Sequence, residues 1–348
     1  MKIAVAMSGG VDSSVAAALL LKKGHDVFGL TMKHYDNKLY GFSSDEGIDA
    51  SIKDARIVAD KLGIKHHIAD LQKDFKEIVE SNFVEEYRSG RTPNPCTLCN
   101  PTIKWGKLLE KALELGAEKI ASGHFVGLKQ EDGYYNIYKG SDRSKDQSYM
   151  LWALGQKQLA QTLFPVSELS KKKVRKIANE LQLPVHDKEE SQEICFIKGH
   201  YEDYLKEKIE LLPGNIVLSD GKIIGRHRGL PLYTIGQRKG LNTPWSSPLY
   251  VLRLNIPNNE LIVTEDPDDL LEDSFIITNI NWIQGKIPNL KDAEVQIRYN
   301  SSPVPIKEYL PVDDKLKIVM EKSTRAITPG QSAVFYRKDK LLGGGIII

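Results

Sequence analysis

Cysteine is scarce in this chain: three residues in 348, an odd number that argues against a disulfide scaffold and for a reducing compartment. Long apolar runs are missing too. The longest, Val15 to Leu21, falls far short of the roughly 20 residues a membrane helix needs. At the N-terminus Lys2 and the five apolar residues after it precede Ser8-Gly9-Gly10, too short a run for a secretory segment. A cytoplasmic location with no membrane partner is therefore expected. Net charge is almost absent, with 48 Lys plus Arg against 46 Asp plus Glu, formally +2. The whole molecule is thus no general polyanion binder, and any nucleic-acid contact must be local. No internal repeat or low-complexity tract occurs. What remains is ordinary globular usage, 41% hydrophobic and 27% charged with 27 Gly and 16 Pro, which excludes collagen, coiled coil and bulk disorder.

At about 150 residues per domain, the length is a soft prior for two or three domains. The first 120 or so residues alternate short apolar runs with helical patterns, the signature of a parallel sheet covered by helices. Strands are expected at Lys2 to Ala6, Asp26 to Met32, Lys65 to Asp70 and Lys119 to Ser122, with helices at Asp12 to Lys23, Ile48 to Leu62, Gln72 to Ser89 and Ile103 to Leu115. Arg91 to Pro101 carries three prolines and two cysteines and reads as a loop that delivers side chains. Phe125 to Lys139 reads as a hairpin turning at Glu131-Asp132-Gly133, followed by helices at Ser170 to Glu180 and Tyr201 to Ile209. Beyond Pro213 the pattern turns all-β, with strands at Gly214 to Leu218, Leu249 to Leu254, Leu261 to Thr264, Glu294 to Tyr299 and Lys315 to Met320. The acidic stretch Glu265 to Asp273 is taken to divide this half. The expected organisation is an α/β domain over 1–200, a small central β domain over 201–270 and a C-terminal β-barrel over 271–348.

Ser8-Gly9-Gly10-Val11-Asp12-Ser13-Ser14 falls between the first strand and the first helix, where open α/β sheets bind ligands. Two glycines let backbone amides approach an anion, the helix start adds unpaired N–H groups, and the serines add hydroxyl donors. Phosphate is the natural ligand, although a tight turn would use the same glycines. The loop lacks the Lys of G-x-x-x-x-G-K-[ST], and G-x-G-x-x-G is absent, which excludes kinase, GTPase and dinucleotide readings. It resembles the S-G-G-x-D-S loop of N-type ATP pyrophosphatases, which implies ATP, gripped by its pyrophosphate, and attack of a substrate oxygen on the α-phosphate. Asp12 either helps hold Mg2+ or caps the helix; one side chain would serve both roles.

Cys96 and Cys99 lie within Thr92-Pro93-Asn94-Pro95-Cys96-Thr97-Leu98-Cys99-Asn100, and Cys195 lies in Ser191-Gln192-Glu193-Ile194-Cys195-Phe196. A C-x-x-C pair alone is a redox pair, half a zinc site completed by His124 or His186, or two packed thiols. Together with the nucleotide loop, the motifs resemble the bacterial tRNA-specific 2-thiouridylases. Matching segments are Ala121-Ser122-Gly123-His124, Lys145-Asp146-Gln147-Ser148-Tyr149, Ile194 to Ile197, Leu232 to Gly240, Ile297-Arg298-Tyr299 and Thr328 to Tyr336. The resemblance implies an adenine nucleotide alpha hydrolase-like domain that adenylates O2 of the wobble uridine of Lys, Glu and Gln tRNAs, after which sulfur attacks C2. It implies that Cys195 takes up sulfur as a persulfide and that Cys99 helps release it, a disulfide between them closing the cycle. The donor would be a sulfur-relay protein or free sulfide. Many members carry Asp where this chain has Cys96. That departure leaves a second reading open, in which Cys96, Cys99 and Cys195 ligate a 4Fe-4S cluster.

The resemblance further implies ATP binding by Ala6, Met7, Ser8, Gly9, Gly10, Val11, Asp12 and Ser13, with Met32 and Gly123 at the adenine and ribose. Asn94, Pro95 and Cys96 would cradle the flipped target base. His124, Lys145, Asp146, Gln147, Arg298, Tyr299 and Gln331 would contact tRNA. Basic clusters at Lys171 to Lys176 and at Arg226, Arg228, Arg238 and Lys239 are either phosphate tracks or solvated faces. Two rival readings are another ATP pyrophosphatase, of the amidotransferase-like synthetase type, and a non-enzymatic tRNA-binding or redox module.

Overall fold

The computed structural model describes residues 1–189 and 194–348. Strand β1 (Lys2–Ala6), helix α1 (Val11–Lys22), strand β2 (Asp26–Lys33), helix α2 (Gly47–Leu62) and strand β3 (His66–Asp70) alternate as expected. With β4 (Lys119–Ala121) and β7 (Thr162–Leu163) the strands form a five-stranded parallel sheet, ordered β3-β2-β1-β4-β7. Its centre is dry on both faces because β1 alternates between two cores. Ile3 and Val5 point to one built from α1, α2 and the helix Lys171–Glu180, while Ala4 points to another built around Phe75, Phe83, Ile103 and Trp105. Ala16, Ala17 and Ala55, all fully buried, bring the helices of the first core close to the sheet.

The helix expected from Gln72 runs over 72–88, with one widened turn at Lys76–Glu80. The next segment corrects the sequence reading. Within the stretch expected to be a loop, a helix begins at Pro95–Cys99 and continues through wide turns at Asn100–Leu108 to Glu114. Prolines mislead here because their positions are permissive. Pro95 occupies the first helical position, where its missing N–H has no partner in any case, and Pro101 falls in the wide-turn stretch, where normal α-helical bonding is already broken.

Strands β5 (Val126–Glu131) and β6 (Tyr134–Lys139) form the expected hairpin, with Asp132 and Gly133 both in the left-handed region. The hairpin leaves the parallel sheet, however, and β6 pairs with the last strand of the chain. After the helix Tyr201–Lys208, a four-stranded sheet ordered β10-β11-β8-β9 is made of β8 (Gly214–Leu218), β9 (Ile223–His227), β10 (Tyr250–Asn255) and β11 (Glu260–Thr264).

The remaining strands are β12 (Leu271–Trp282), β13 (Glu294–Gln296), β14 (Val304–Val312), β15 (Lys315–Arg325), β16 (Ser332–Arg337) and β17 (Lys340–Ile347). A β12–β17 pairing closes them into a barrel around Phe275, Ile318, Met320 and Phe335. Several strand expectations need correction. The acidic divider ends early, since Leu271 already begins β12. The strand at Glu294 stops at Gln296, the strand at Lys315 runs on to Arg325, and β7, β9, β12, β14, β16 and β17 have no counterpart among the expected strands. The barrel docks on the first unit through Trp152 and Tyr149. A Cβ at Gly344 would lie 2.7 Å from the Trp152 ring, Trp152 Nε1 donates to Ser332 Oγ at 3.0 Å, and the Tyr149 hydroxyl donates to the Ser332 carbonyl at 2.8 Å.

Candidate active site

The loop after β1 and the loop after β4 meet where the strand order reverses, the usual ligand crevice of such sheets. Gly9 has φ +68°, and a Cβ there would lie 2.4 Å from the Ser51 carbonyl oxygen. Gly123 is as tightly constrained, its would-be Cβ lying 2.5 Å from Ser13 N and 2.6 Å from Asp12 C. Helix α1 starts from Gly10 with no side-chain cap. Its first-turn N–H groups and its positive dipole end are therefore available to an anion. Ser13 and Ser14 are buried and turn their hydroxyls onto the Gly10 carbonyl at 3.2 and 2.8 Å, which fixes the loop from inside. Met7 is a core residue beneath Gly29.

Two lysines reach this loop that the sequence reading did not place there. Lys171, only 8% exposed, sets its ammonium 2.7 Å from both carboxylate oxygens of Asp12. Asp12 therefore does not cap α1; it holds a cation. This also changes the reading of the basic run from 171 to 176. Its first member turns inward, while Lys172, Lys173 and Lys176 stay in solvent. Lys188 donates to the Gly9 carbonyl at 3.1 Å and to Asp54 at 2.5 Å. Forty-eight cationic residues look alike in sequence, and only tertiary packing singles these two out.

The cysteines come from two distant stretches of chain. Asn94 caps its helix, its Oδ1 accepting from Cys96 N at 3.1 Å, so Cys96 sits in the first turn and is exposed, whereas Cys99 on the inner face is 7% exposed. Cys195 is exposed as a residue, yet its thiol is crowded enough that desolvation dominates and raises its pKa, with Cys96 and Cys99 adding to the rise. Burial likewise pushes the Cys99 thiol up to about 12, against the pull of Lys104 and with a smaller push from Cys96. All three thiols are free and close enough to act on one another electrically. Lys104, on the wide-turned stretch after Cys99, is the cation common to Cys99 and Cys195, and its charge also disfavours protonation of His34 and His124. Tyr35, just beyond β2, feels the charge of Cys195, which puts that thiol at the carboxyl edge of the sheet. Ser191, Gln192 and Glu193 lie outside the described residues.

Metal binding is a separate question. Among the described residues no three His, Cys, Asp or Glu side chains are arranged to hold a metal ion, so the thiols as placed are not a ligand set for zinc or a 4Fe-4S cluster. Both carboxylate oxygens of Asp12 lie on the Lys171 ammonium.

The other expected contact residues fall into two groups. His124 stands in the wall of the cleft, accepting or donating at Nδ1 with Ser122 Oγ at 2.9 Å, its ring 5.4 Å from Trp105, and burial drives its pKa down to about 3. Met32 is the penultimate residue of β2 and packs against the core, its carbonyl 3.5 Å from His34 Nδ1. Elsewhere the barrel meets the first unit. The Tyr299 hydroxyl donates to the Asp146 carbonyl at 2.9 Å, Asp146 Oδ1 accepts from Gly140 N, and Gln147 Oε1 accepts from Phe125 N. Lys145 precedes them on a short helical turn. Gln331 donates to the Thr92 carbonyl at 2.6 Å, and Thr92 N donates to the Pro329 carbonyl, so this barrel loop braces the segment leading into Pro95. Arg298, half-buried and bound to the Arg325 and Ala326 carbonyls, lines a polar crevice with Arg238, Arg325 and Tyr250. The Arg325 guanidinium lies 4.6 Å from the Tyr250 ring centre.

A parallel sheet with an anion-ready loop at its switch point, and thiols gathered at the same edge, defines a class: α/β enzymes that combine nucleotide phosphate binding with cysteine chemistry. The comparisons narrow it. Residues 1–199 match the tRNA methyl transferase HUP domain, 202–265 the tRNA methyl transferase PRC-barrel domain and 272–347 the aminomethyltransferase beta-barrel domain. The tRNA-specific 2-thiouridylase MnmA of Trichlorobacter lovleyi is 45% identical, covering 99% of this chain and 97% of that protein. Its counterpart from Carboxydothermus hydrogenoformans is 44% identical with the same coverage, and MnmA 2 of Thermoanaerobacter sp. strain X514 is 46% identical. The chain belongs to the tRNA-specific 2-thiouridylase family. No helix among the described residues is long and apolar enough to cross a membrane.

Proposed function

We infer that this protein catalyses ATP-dependent 2-thiolation of the wobble uridine in Lys-, Glu- and Gln-type tRNAs, working in the cytoplasm. The observation that carries the reading is the closeness of Cys195 to Cys96 and Cys99, each of which adds to the rise of its pKa, in a fold whose β1 loop is open to an anion. Uracil O2 is a poor leaving group, and adenylation converts it into an AMP ester. ATP enters as its magnesium complex. The α1 N-terminus, the serines and the two lysines hold the departing pyrophosphate, while Gly9 and Gly123 keep the floor of the pocket free of side chains.

The terminal sulfur of a Cys195 persulfide attacks C2, and AMP leaves with its bridging oxygen. Cys99 then attacks the Cys195 sulfur, the S–S bond to the base breaks, 2-thiouridine is released, and a Cys99–Cys195 disulfide remains for an external thiol to reduce. A relay-protein persulfide is the sulfur source in this scheme: the Cys195 thiolate attacks its outer sulfur and displaces the relay thiolate, whereas free sulfide would need a two-electron oxidant to become a persulfide. A cluster-bound sulfide is not favoured, since Cys99 is buried and the three thiols are not arranged as ligands. Residues 1–200 would form the catalytic unit, 201–270 a central β unit and 271–348 the barrel contacting tRNA, with Asn94, Pro95 and Cys96 at the target base. The gathered thiols also argue against an amidotransferase-like synthetase, which has no use for them.

The test is nucleoside analysis of unmodified tRNA after incubation with MgATP and a persulfide donor. Cys99→Ser and Cys195→Ser should each lower thiolation by about 1,000-fold or more while tRNA-dependent pyrophosphate release continues. Thiolation that persists in Cys195→Ser removes that residue as sulfur carrier, and an absence of pyrophosphate release from the parent removes adenylation.

A further inference from the structure

Glu80 is a carboxylate only 3% exposed, placed on the widened turn Lys76–Glu80. Burying such a charge is strongly unfavourable unless it is fully partnered. It is partnered from two other stretches of chain. The Tyr204 hydroxyl and the Lys208 ammonium, both from the helix Tyr201–Lys208, lie 2.8 Å from Oε1, and the Tyr40 hydroxyl donates to Oε2. Lys208 also sits over the Tyr40 and Tyr204 rings, at 5.6 and 5.4 Å. Burial works to raise the Glu80 pKa, but Lys208, Tyr40 and Tyr204 outweigh it and hold the group ionised.

This knot touches the surroundings of both thiols of the proposed relay. On one side, the Lys76–Glu80 turn packs directly against Pro95–Cys99. On the other, Phe196, the neighbour of Cys195, is 1% exposed in a box of Phe75, Phe83 and Tyr204 rings at 5.3, 5.6 and 5.6 Å. Tyr204 belongs to both arrangements, its ring closing the box and its hydroxyl fixed by Glu80. One carboxylate thus ties the Cys195 segment to the element that backs Cys99.

We propose that Glu80 is a positioning residue that sets the separation of Cys195 and Cys99 by locking Tyr204, and through it Phe196, onto the turn behind Cys99. The proposal rests on the reading of Cys195 as sulfur carrier, but its test does not depend on turnover. In a Cys96→Ser background, diamide oxidises Cys99 and Cys195 to a disulfide, taking up their two electrons and two protons, and the rate reports how well the thiols meet. Glu80→Gln is expected to slow disulfide formation about tenfold or more with tRNA-dependent pyrophosphate release within about twofold of the parent. Tyr204→Phe, which deletes one hydroxyl, should slow it by a smaller factor and carries the comparison if Glu80→Gln does not fold. Disulfide formation at the parent rate in a folded variant overturns the proposal. The carrier assignment fails by a different result, thiolation in Cys195→Ser, so the two are told apart.

Discussion

At the scale of single residues, the site is made of groups whose ordinary chemistry has been displaced by packing. His34 is 6% exposed, its Nε2 has no hydrogen-bond partner among the described residues, and burial lowers its pKa from 6.5 to about 4. The folded protein therefore binds fewer protons than the unfolded chain between those two values. Stability is complete above about pH 6.5 and falls as pH drops toward 4, by about 1.4 kcal/mol per pH unit for one such histidine. Denaturant unfolding at several pH values should show this slope, reduced by about one such increment in His34→Gln; an unaltered slope would assign the loss to other groups. The glycines and cysteines of the site were readable in sequence because each does something few other residues can. A Cβ does not fit at Gly9 or Gly123, and only a thiol carries transferable sulfur. Lys104, Lys171, Lys188 and Glu80 were not, because a charged side chain in sequence looks the same whether it faces water or a buried partner.

At the scale of elements, the thiol-bearing helix matters most. Its start depends on Asn94, which accepts from Cys96 N and, through its backbone carbonyl, from the Thr97 hydroxyl at 2.8 Å. Asn94→Ala should cost about 1 kcal/mol, and hydrogen exchange should show the Cys96 amide opening about fivefold faster or more. Exchange at the parental rate would mean that Pro95 alone secures the turn. Sequence reading recovered the βαβ order and the Asp132-Gly133 hairpin because both are local. It missed the helix at Pro95 because three prolines in eleven residues read as a breaker, although the positions of Pro95 and Pro101 are ones that helices tolerate. It shortened or overlooked barrel strands because closure of β12 on β17 depends on pairing across more than sixty residues, which no local pattern encodes.

At the scale of the molecule, near-zero net charge leaves nucleic-acid affinity to local clusters, and the crevice of Arg238, Arg298 and Arg325 is such a cluster. Each phosphate it neutralises should contribute about 0.7–0.9 to the slope of log affinity against log salt. Replacing Arg238 and Arg325 by Ala should flatten that slope for tRNA by about 1 to 2 units in filter-binding titrations. An unchanged slope would remove the crevice from the RNA path.

The brace between Gln331 and Thr92 has a practical corollary. The segment leading into Cys96 and Cys99 and the barrel share a seam, so neither can be exchanged as a cartridge. A chimera that borrows the barrel of a relative to redirect tRNA choice must import the 328–331 loop matched to its Thr92, or the grafted enzyme will grip its substrate while the entrance to its own cysteine helix hangs loose.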